Sequence, residues 1–301
     1  MRFAVDAWAP EYGASLESTD DAPTAEVAVD VEVPAAAWTP IPVRAEPPGE
    51  IAFVDGVSRV DAQIWITEQD GSPKPGLCTT YAAGVIRCNA RAQLGAVEVG
   101  RTLFTASGTA EPVETSHARY VPSYVAGTPE QMVMASINRM RDLEANVARG
   151  ARADLIVLDG LLWGRVDITS AIGYVKSHRT PYLPEDLEGI VARLEPGERT
   201  PLFLVTTKWS RFSWYLRLPG GSGHPWAGIV RCEASPDLPP AEAARLADLA
   251  SAALPRFASA RHRDPRAPQN LYPIAGLERE LRRRSGDARL LYRSLLSAAR
   301  H

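Results

Sequence analysis

Three carboxylates stand where the pattern around them does not require one. Val133, Ile137, Met140 and Val147 recur at helical spacing and mark one apolar stripe, and Glu144 lies in the middle of it. Burying an ionised carboxylate there costs several kcal/mol unless a cation or strong donors lie close. One of the many arginines could be that cation, and so could a metal ion. Asp55 and Asp159 each follow a short apolar run, IAFV (51–54) and ADLIVL (153–158), and each precedes glycine. Alone, either Asp-Gly pair reads as a turn. Together they describe two strand-end aspartates on neighbouring strands, with a glutamate reaching in from the helix packed beside them. Such a set offers hard oxygen ligands to one or two Mg²⁺ or Mn²⁺ ions. Metals held in this way activate a water and stabilise the leaving oxygen in phosphodiester cleavage.

These side chains need elements to position them. Thr128 is a good N-cap, Pro129 suits a first turn, Gln131 completes a capping box and Gly150 closes the helix, so the spacing predicts a helix over 128–150. Residues 51–54, 60–69 and 80–90 predict three strands, most simply an antiparallel meander, with 70–73 as a turn. Residues 153–160 supply another strand, ending in Asp159 and Gly160. Further on, the pattern predicts a helix over 184–193, strands over 201–207, 213–218 and 226–233, and helices over 239–254, 274–284 and 287–300. No internal repeat is present. The order is mixed α/β, without the regular alternation of a barrel or doubly wound sheet. Three antiparallel strands, a helix and a fourth strand is the order of an RNase H-like fold, whose first strand, first helix and fourth strand supply carboxylates. The expected architecture is an RNase H-like mixed sheet flanked by helices, with a C-terminal helical extension.

Composition narrows the classes. The chain has 301 residues, 45% hydrophobic and 23% charged, enough apolar content for a folded core and too much for a disordered chain. No run of about 18 apolar residues suits a membrane span, and an aspartate at position 6 interrupts what a signal peptide would need. Cys78, Cys88 and Cys232 lack metal-site spacing and fit reduced thiols in a cytoplasmic protein. The net charge of −3 hides a split: residues 1–50 carry ten acids, and residues 257–301 carry ten arginines against four acids. A basic tail invites a polyanion, though a solvated helical face has the same composition. Residues 1–48 read as an acidic, Ala/Pro-rich arm or linker in which 27–33 could add a strand, and 49–301 as one domain. Lysine occurs only at 74, 176 and 208, beside thirty arginines, and its compact ammonium is something arginine cannot mimic.

From about Ile51 to the C-terminus the chain resembles the NurA family of DNA-end-processing nucleases. FVDGVSR (53–59) resembles the family's first aspartate motif, RDLEANVA (141–148) its glutamate-bearing helix and LIVLDGLL (155–162) its second aspartate motif. GYVKSHR (173–179), FSWYLRLPG (212–220) and NLYPIAGLE (270–278) are similar to its lysine, aromatic and Tyr-Pro segments, in the same order. The resemblance implies metal-ligand roles for Asp55, Glu144 and Asp159, with Mn²⁺ or Mg²⁺ as cofactor. It places Lys176 near the scissile phosphate and Tyr272 at the flank of the site. The family's histidine after the Tyr-Pro pair is missing here. Glu278 and Glu280 are the nearest substitutes, and Glu278, beside the Ile274, Leu277, Leu281 stripe, is the expected fourth ligand. The resemblance further implies a homodimer that encloses DNA and docks onto a hexameric HerA-type ATPase in recombinational repair.

The remaining features add or exclude classes. No phosphate-binding glycine loop or serine-nucleophile motif is present. The five histidines do not cluster, and His178 is notable only for its place beside Lys176. Arginines at 261–266 and 282–284 could contact phosphates, and Trp209, Phe212, Trp214 and Tyr215 could stack on bases or fill a core. Two rival functions share the fold: a non-catalytic DNA-binding or scaffold protein, and a nuclease acting on RNA.

Overall fold

The computed structural model describes residues 25–177, 182–221 and 223–299. In chain order the strands are β1 (Glu26–Ala28), β2 (Ile51–Thr67), β3 (Pro73–Cys88), β4 (Ala92–Thr105), β5 (Val113–Glu114), β6 (Arg119–Tyr124), β7 (Leu155–Asp159), β8 (Ala171–Val175), β9 (Phe203–Thr206), β10 (Ser210–Arg217) and β11 (Ile229–Ala234). The α-helices are α1 (Pro129–Gly150), α2 (Glu185–Arg193), α3 (Pro240–Ala253), α4 (Tyr272–Arg284) and α5 (Ala288–Ala298). The protein is therefore mixed α/β. Its residues divide into two compact units made of interleaved segments: Met1–Phe53, Arg87–Gln93 and Ala151–Ala275 form unit 1, and Val54–Ile86, Leu94–Gly150 and Gly276–His301 form unit 2. Among the described residues no helix is long and apolar enough to cross a membrane.

In unit 1 the strands lie in the order β1, β9, β10, β11, β8, β7. All pair antiparallel except β7 and β8, which run parallel with Leu158 opposite Gly173 and Asp159 opposite Tyr174. Parallel pairing brings the C-terminal ends of β7 and β8 to one edge, and with them Asp159 and Lys176. Successive residues of a strand face opposite sides, and Trp214 and Tyr215 of β10 are both buried, so both faces of this sheet are covered. Helix α2 contributes Leu187, Ile190 and Val191 to the face bearing Phe203, Val205 and Tyr215. Helix α3 packs on β7, β10 and β11. Residues 25–48, which composition marks as arm or linker, are built into this unit. Strand β1 pairs with β9, Trp38 lies in the α2 core, and Glu32 holds the buried Arg199 through two bonds of 2.7 and 2.8 Å.

In unit 2 the strands lie in the order β2, β3, β4, β6, β5. The links at 68–72 and 89–91 are too short for a crossover, so β2, β3 and β4 form an antiparallel meander. The meander is present, but its strands differ from those expected. Residues 51–54 and 60–67 belong to one strand that passes straight through Asp55 and Gly56, so Asp55 is neither in a turn nor at the expected strand end. The third strand of the meander is β4, which lacked a continuous apolar run because its first half is largely exposed.

Helix α1 begins where its caps place it: Gln131 Oε1 accepts the Thr128 N–H at 2.8 Å. Its buried line runs through Met132, Ser136, Met140, Glu144 and Val147. The expected stripe is thus shifted by one residue at its start, with Val133 36% exposed. Met132 takes that place because it packs against Leu77 and Phe104. Helix α1 meets Gly56 and Ser58 of β2, the latter through a 2.8 Å hydroxyl contact with Ser136. Helix α4 sets Leu277 and Leu281 against Ala82, with Val57 alongside.

Candidate functional site

The candidate site residues fall in both units, and each group has its own geometry. In unit 2, Asp55 is 8% exposed and Glu144 4%. Glu144 is buried as its place in the stripe predicts. The two carboxylates gather on Gly56. Asp55 Oδ1 accepts the Gly56 N–H at 2.8 Å, and a Cβ built on Gly56 would come within 2.7 Å of Glu144 Oε1 and 2.8 Å of Met140 Cγ. Glycine inside a strand marks a close approach, and here the approaching group is the glutamate. The donor chemistry of the pair fits a hard divalent cation, since both are carboxylates taken largely out of water. Among the described residues, no three or more His, Cys, Asp or Glu side chains group as ligands for a metal ion.

In unit 1, Asp159 ends β7, and Gly160 follows with φ +101°, in the region that favours glycine, still bridged to Tyr174 by two backbone bonds of 2.9 Å. Lys176, 5% exposed, donates to Asp159 Oδ2 at 2.6 Å and to Asn270 Oδ1 at 3.2 Å. Behind it, Asn270 Nδ2 donates to Asp264 Oδ2 at 2.6 Å. Burial works against ionisation of Asp264, but bonds from Asn270 and the Arg266 backbone, with the Arg266 charge, hold its carboxyl below the usual range. The phenol of Tyr174 donates to Gln269 O at 2.7 Å and fixes this segment against β8. Tyr272 is partly exposed. Its hydroxyl accepts the Ala260 N–H at 3.1 Å, and the Arg263 guanidinium lies 5.9 Å from its ring centre.

The segment after Asp159 is held from behind. Glu233, fully buried, accepts the Leu162 N–H at 3.0 Å, Arg211 Nε at 3.0 Å and Arg231 Nη2 at 3.1 Å. Two guanidiniums thus balance the charge of that carboxylate within the sheet.

Other expectations meet a different outcome. Glu278 accepts Arg282 Nη2 at 2.8 Å one helical turn on, and Glu280 pairs with Arg283 and Arg284, whose bonds pull its carboxyl down to about 2. Arg282, Arg283 and Arg284 are therefore partly neutralised within their own helix. Phe212, Trp214 and Tyr215 are buried, so base stacking by these three is excluded; strand β10 is covered on both faces and spends them on core. Trp209 lies under the Arg211 guanidinium at 4.6 Å. The thiols are all buried, and burial pushes Cys78 up to about 12 and Cys88 to about 11. His178 and residues 1–24 of the arm lie outside the described residues. Asn270 and Asp264 escaped sequence reasoning, although Asn270 opens the Tyr-Pro segment that supplied Tyr272. Compared with known proteins, the chain matches no family model and no curated protein.

Proposed function

We propose that this chain is a metal-dependent nuclease with an RNase H-like core, which hydrolyses phosphodiester bonds at DNA ends in the manner of the NurA proteins. The observation that carries the reading is the buried Glu144, set by α1 on the glycine that follows Asp55. Both side chains offer carboxylate oxygens beside one glycine, the hard donor type that a divalent cation takes. Support for the core comes from the β2–β4 meander in unit 2, which the short strands β5 and β6 separate from α1, and from the parallel β7–β8 pair in unit 1, where β7 ends in Asp159.

In this reading Asp55 and Glu144 would hold Mn²⁺ or Mg²⁺; for Asp159 a ligand role is what the resemblance implies. The ion, when bound, supplies Lewis acidity to the phosphodiester and to its attacking water. Lys176 presents a compact positive charge to the phosphate, held in place by Asp159 and Asn270. Tyr272 ties Ala260 to the start of α4, and its place at the flank of the site is what the resemblance implies. DNA as substrate, a homodimeric assembly, a HerA-type ATPase partner and a role in recombinational repair belong to the same proposal and rest on the resemblance; a cytoplasmic location rests on the cysteine pattern.

The test is cleavage of end-labelled linear DNA, single- and double-stranded, with Mn²⁺, Mg²⁺ or EDTA. Wild type is expected to cut with metal only, and Asp55→Ala and Glu144→Ala to lose cutting. Cutting that survives both substitutions overturns the site. One observation favours a second reading, a non-catalytic DNA-binding protein: Glu278, offered in place of the family's histidine, is already paired with Arg282. Metal-independent DNA binding with no cleavage, with or without an ATPase partner, would decide for it. Competition between DNA and RNA decides the substrate.

A further inference from the structure

We propose that Asn270 is a positioning residue, which fixes the Lys176 ammonium at Asp159 and is itself fixed by Asp264. The orientation of its amide is set by chemistry. An ammonium only donates and an ionised carboxylate only accepts, so the oxygen must face Lys176 and the nitrogen Asp264, as the 3.2 and 2.6 Å contacts have it. Asn270 is fully buried, Asp264 nearly so, and Lys176 with them. Asp264 is held in turn by the Arg266 N–H at 2.8 Å, and the Asn270 N–H is spent on Arg266 O at 3.0 Å. Neither amide nor carboxylate has freedom to turn.

A lysine carries its charge on a flexible four-carbon stem; Asp159 fixes one of its N–H directions and Asn270 another. A second acceptor defines the ammonium in space. Because that acceptor is a neutral amide, it does so without adding negative charge beside a group meant to face a phosphate. The positioning stands on geometry alone; its consequence for catalysis rests on the nuclease reading.

The arrangement predicts a swap. Asn270→Asp puts two carboxylates face to face, and Asp264→Asn leaves two amides. The double variant, Asn270→Asp with Asp264→Asn, restores a donor opposite an acceptor, while the carboxylate introduced at position 270 still receives Lys176. The readout is the lysine ammonium resonance of protein labelled with ¹⁵N at lysine Nζ. Only Lys74, Lys176 and Lys208 contribute; Lys208 is exposed and Lys74 half-buried, leaving Lys176 as the buried, slowly exchanging signal, assigned by its loss in Lys176→Arg. Asn270→Ala is expected to raise the exchange rate of that signal about tenfold, the effect of losing one hydrogen bond. Both single swaps should do the same, and the double swap should recover the wild-type rate. If Asn270→Ala does not fold, the swap series still decides. An unchanged signal in folded Asn270→Ala, or a double variant no better than its parents, overturns the proposal. On DNA, Asn270→Ala should lower kcat with KM held. A wild type that cuts nothing, with or without an ATPase partner, while the ammonium signals behave as expected would remove the nuclease reading and leave the positioning role standing.

Discussion

A side chain at position 56 would find its space taken. The nearest atoms to an added Cβ are Glu144 Oε1 at 2.7 Å, the far end of a flexible side chain, and Met140 Cγ at 2.8 Å. Gly56→Ala is therefore expected to cost only about 1 kcal/mol, at the low end of overpacking, because Glu144 swings away. Cleavage should fall far more than that, since the displaced atom is the carboxylate oxygen. Urea melts beside DNA-cleavage rates check the split; equal losses in both would mean that Glu144 serves only packing. The sequence made Glu144 conspicuous because a charge interrupts an apolar period. It hid the role of Gly56, since Asp-Gly favours a turn locally, and only the approach of α1 explains a glycine inside a strand. Asn270 and Asp264 were silent for a similar reason: a polar pair six residues apart has no period to break.

At the level of elements, legibility follows the locality of the signal. Helix α1 was readable because Thr128, Pro129, Gln131 and Gly150 encode its ends within one turn. Strand β4 was not, because exposed residues alternate irregularly along it and its place depends on β3. Strand β8 is five residues long and takes its meaning from pairing with β7. Gly173 shows how tightly that pair is closed. A Cβ there would meet Leu162 N at 2.8 Å and Gly160 O at 3.0 Å, both backbone atoms of the segment that leaves Asp159. Backbone cannot rotate aside as Glu144 can, and Glu233 grips the Leu162 N–H from the other end. Gly173→Ala should thus cost about 3 kcal/mol, the upper part of the overpacking range, clearly more than Gly56→Ala. Urea melts of the two variants side by side measure the difference, and the reverse order would refute this account of β8.

For the molecule as a whole, the composition of the first fifty residues suggested an arm, while the fold uses part of it as structure. Net acidity is a sum over residues, and it does not reveal that one of them, Glu32, answers a buried arginine 167 positions later. The division into interleaved units was equally unreadable, because each unit collects segments distant in sequence. Arg199, 1% exposed, receives Glu32 on one side and Asp248 at 2.8 Å on the other. Burial opposes ionisation of Glu32, but the bonds and charge of Arg199 and the Leu202 N–H hold its carboxyl below the ordinary 4.5. A carboxylate whose folded pKa is depressed stabilises fully above its unfolded value and loses that contribution as pH falls through the folded one. Glu32→Gln should therefore destabilise by about 2 kcal/mol at pH 7, less than the loss of a whole buried pair because Asp248 remains. The gap to wild type should hold down to about pH 5 and close below the ordinary carboxylate value, where wild type loses the same charge by protonation. Urea midpoints of both proteins from about pH 7 to about pH 3 trace that closure; a gap that stays constant over that whole range would mean that Glu32 stabilises by shape and not by its charge on Arg199.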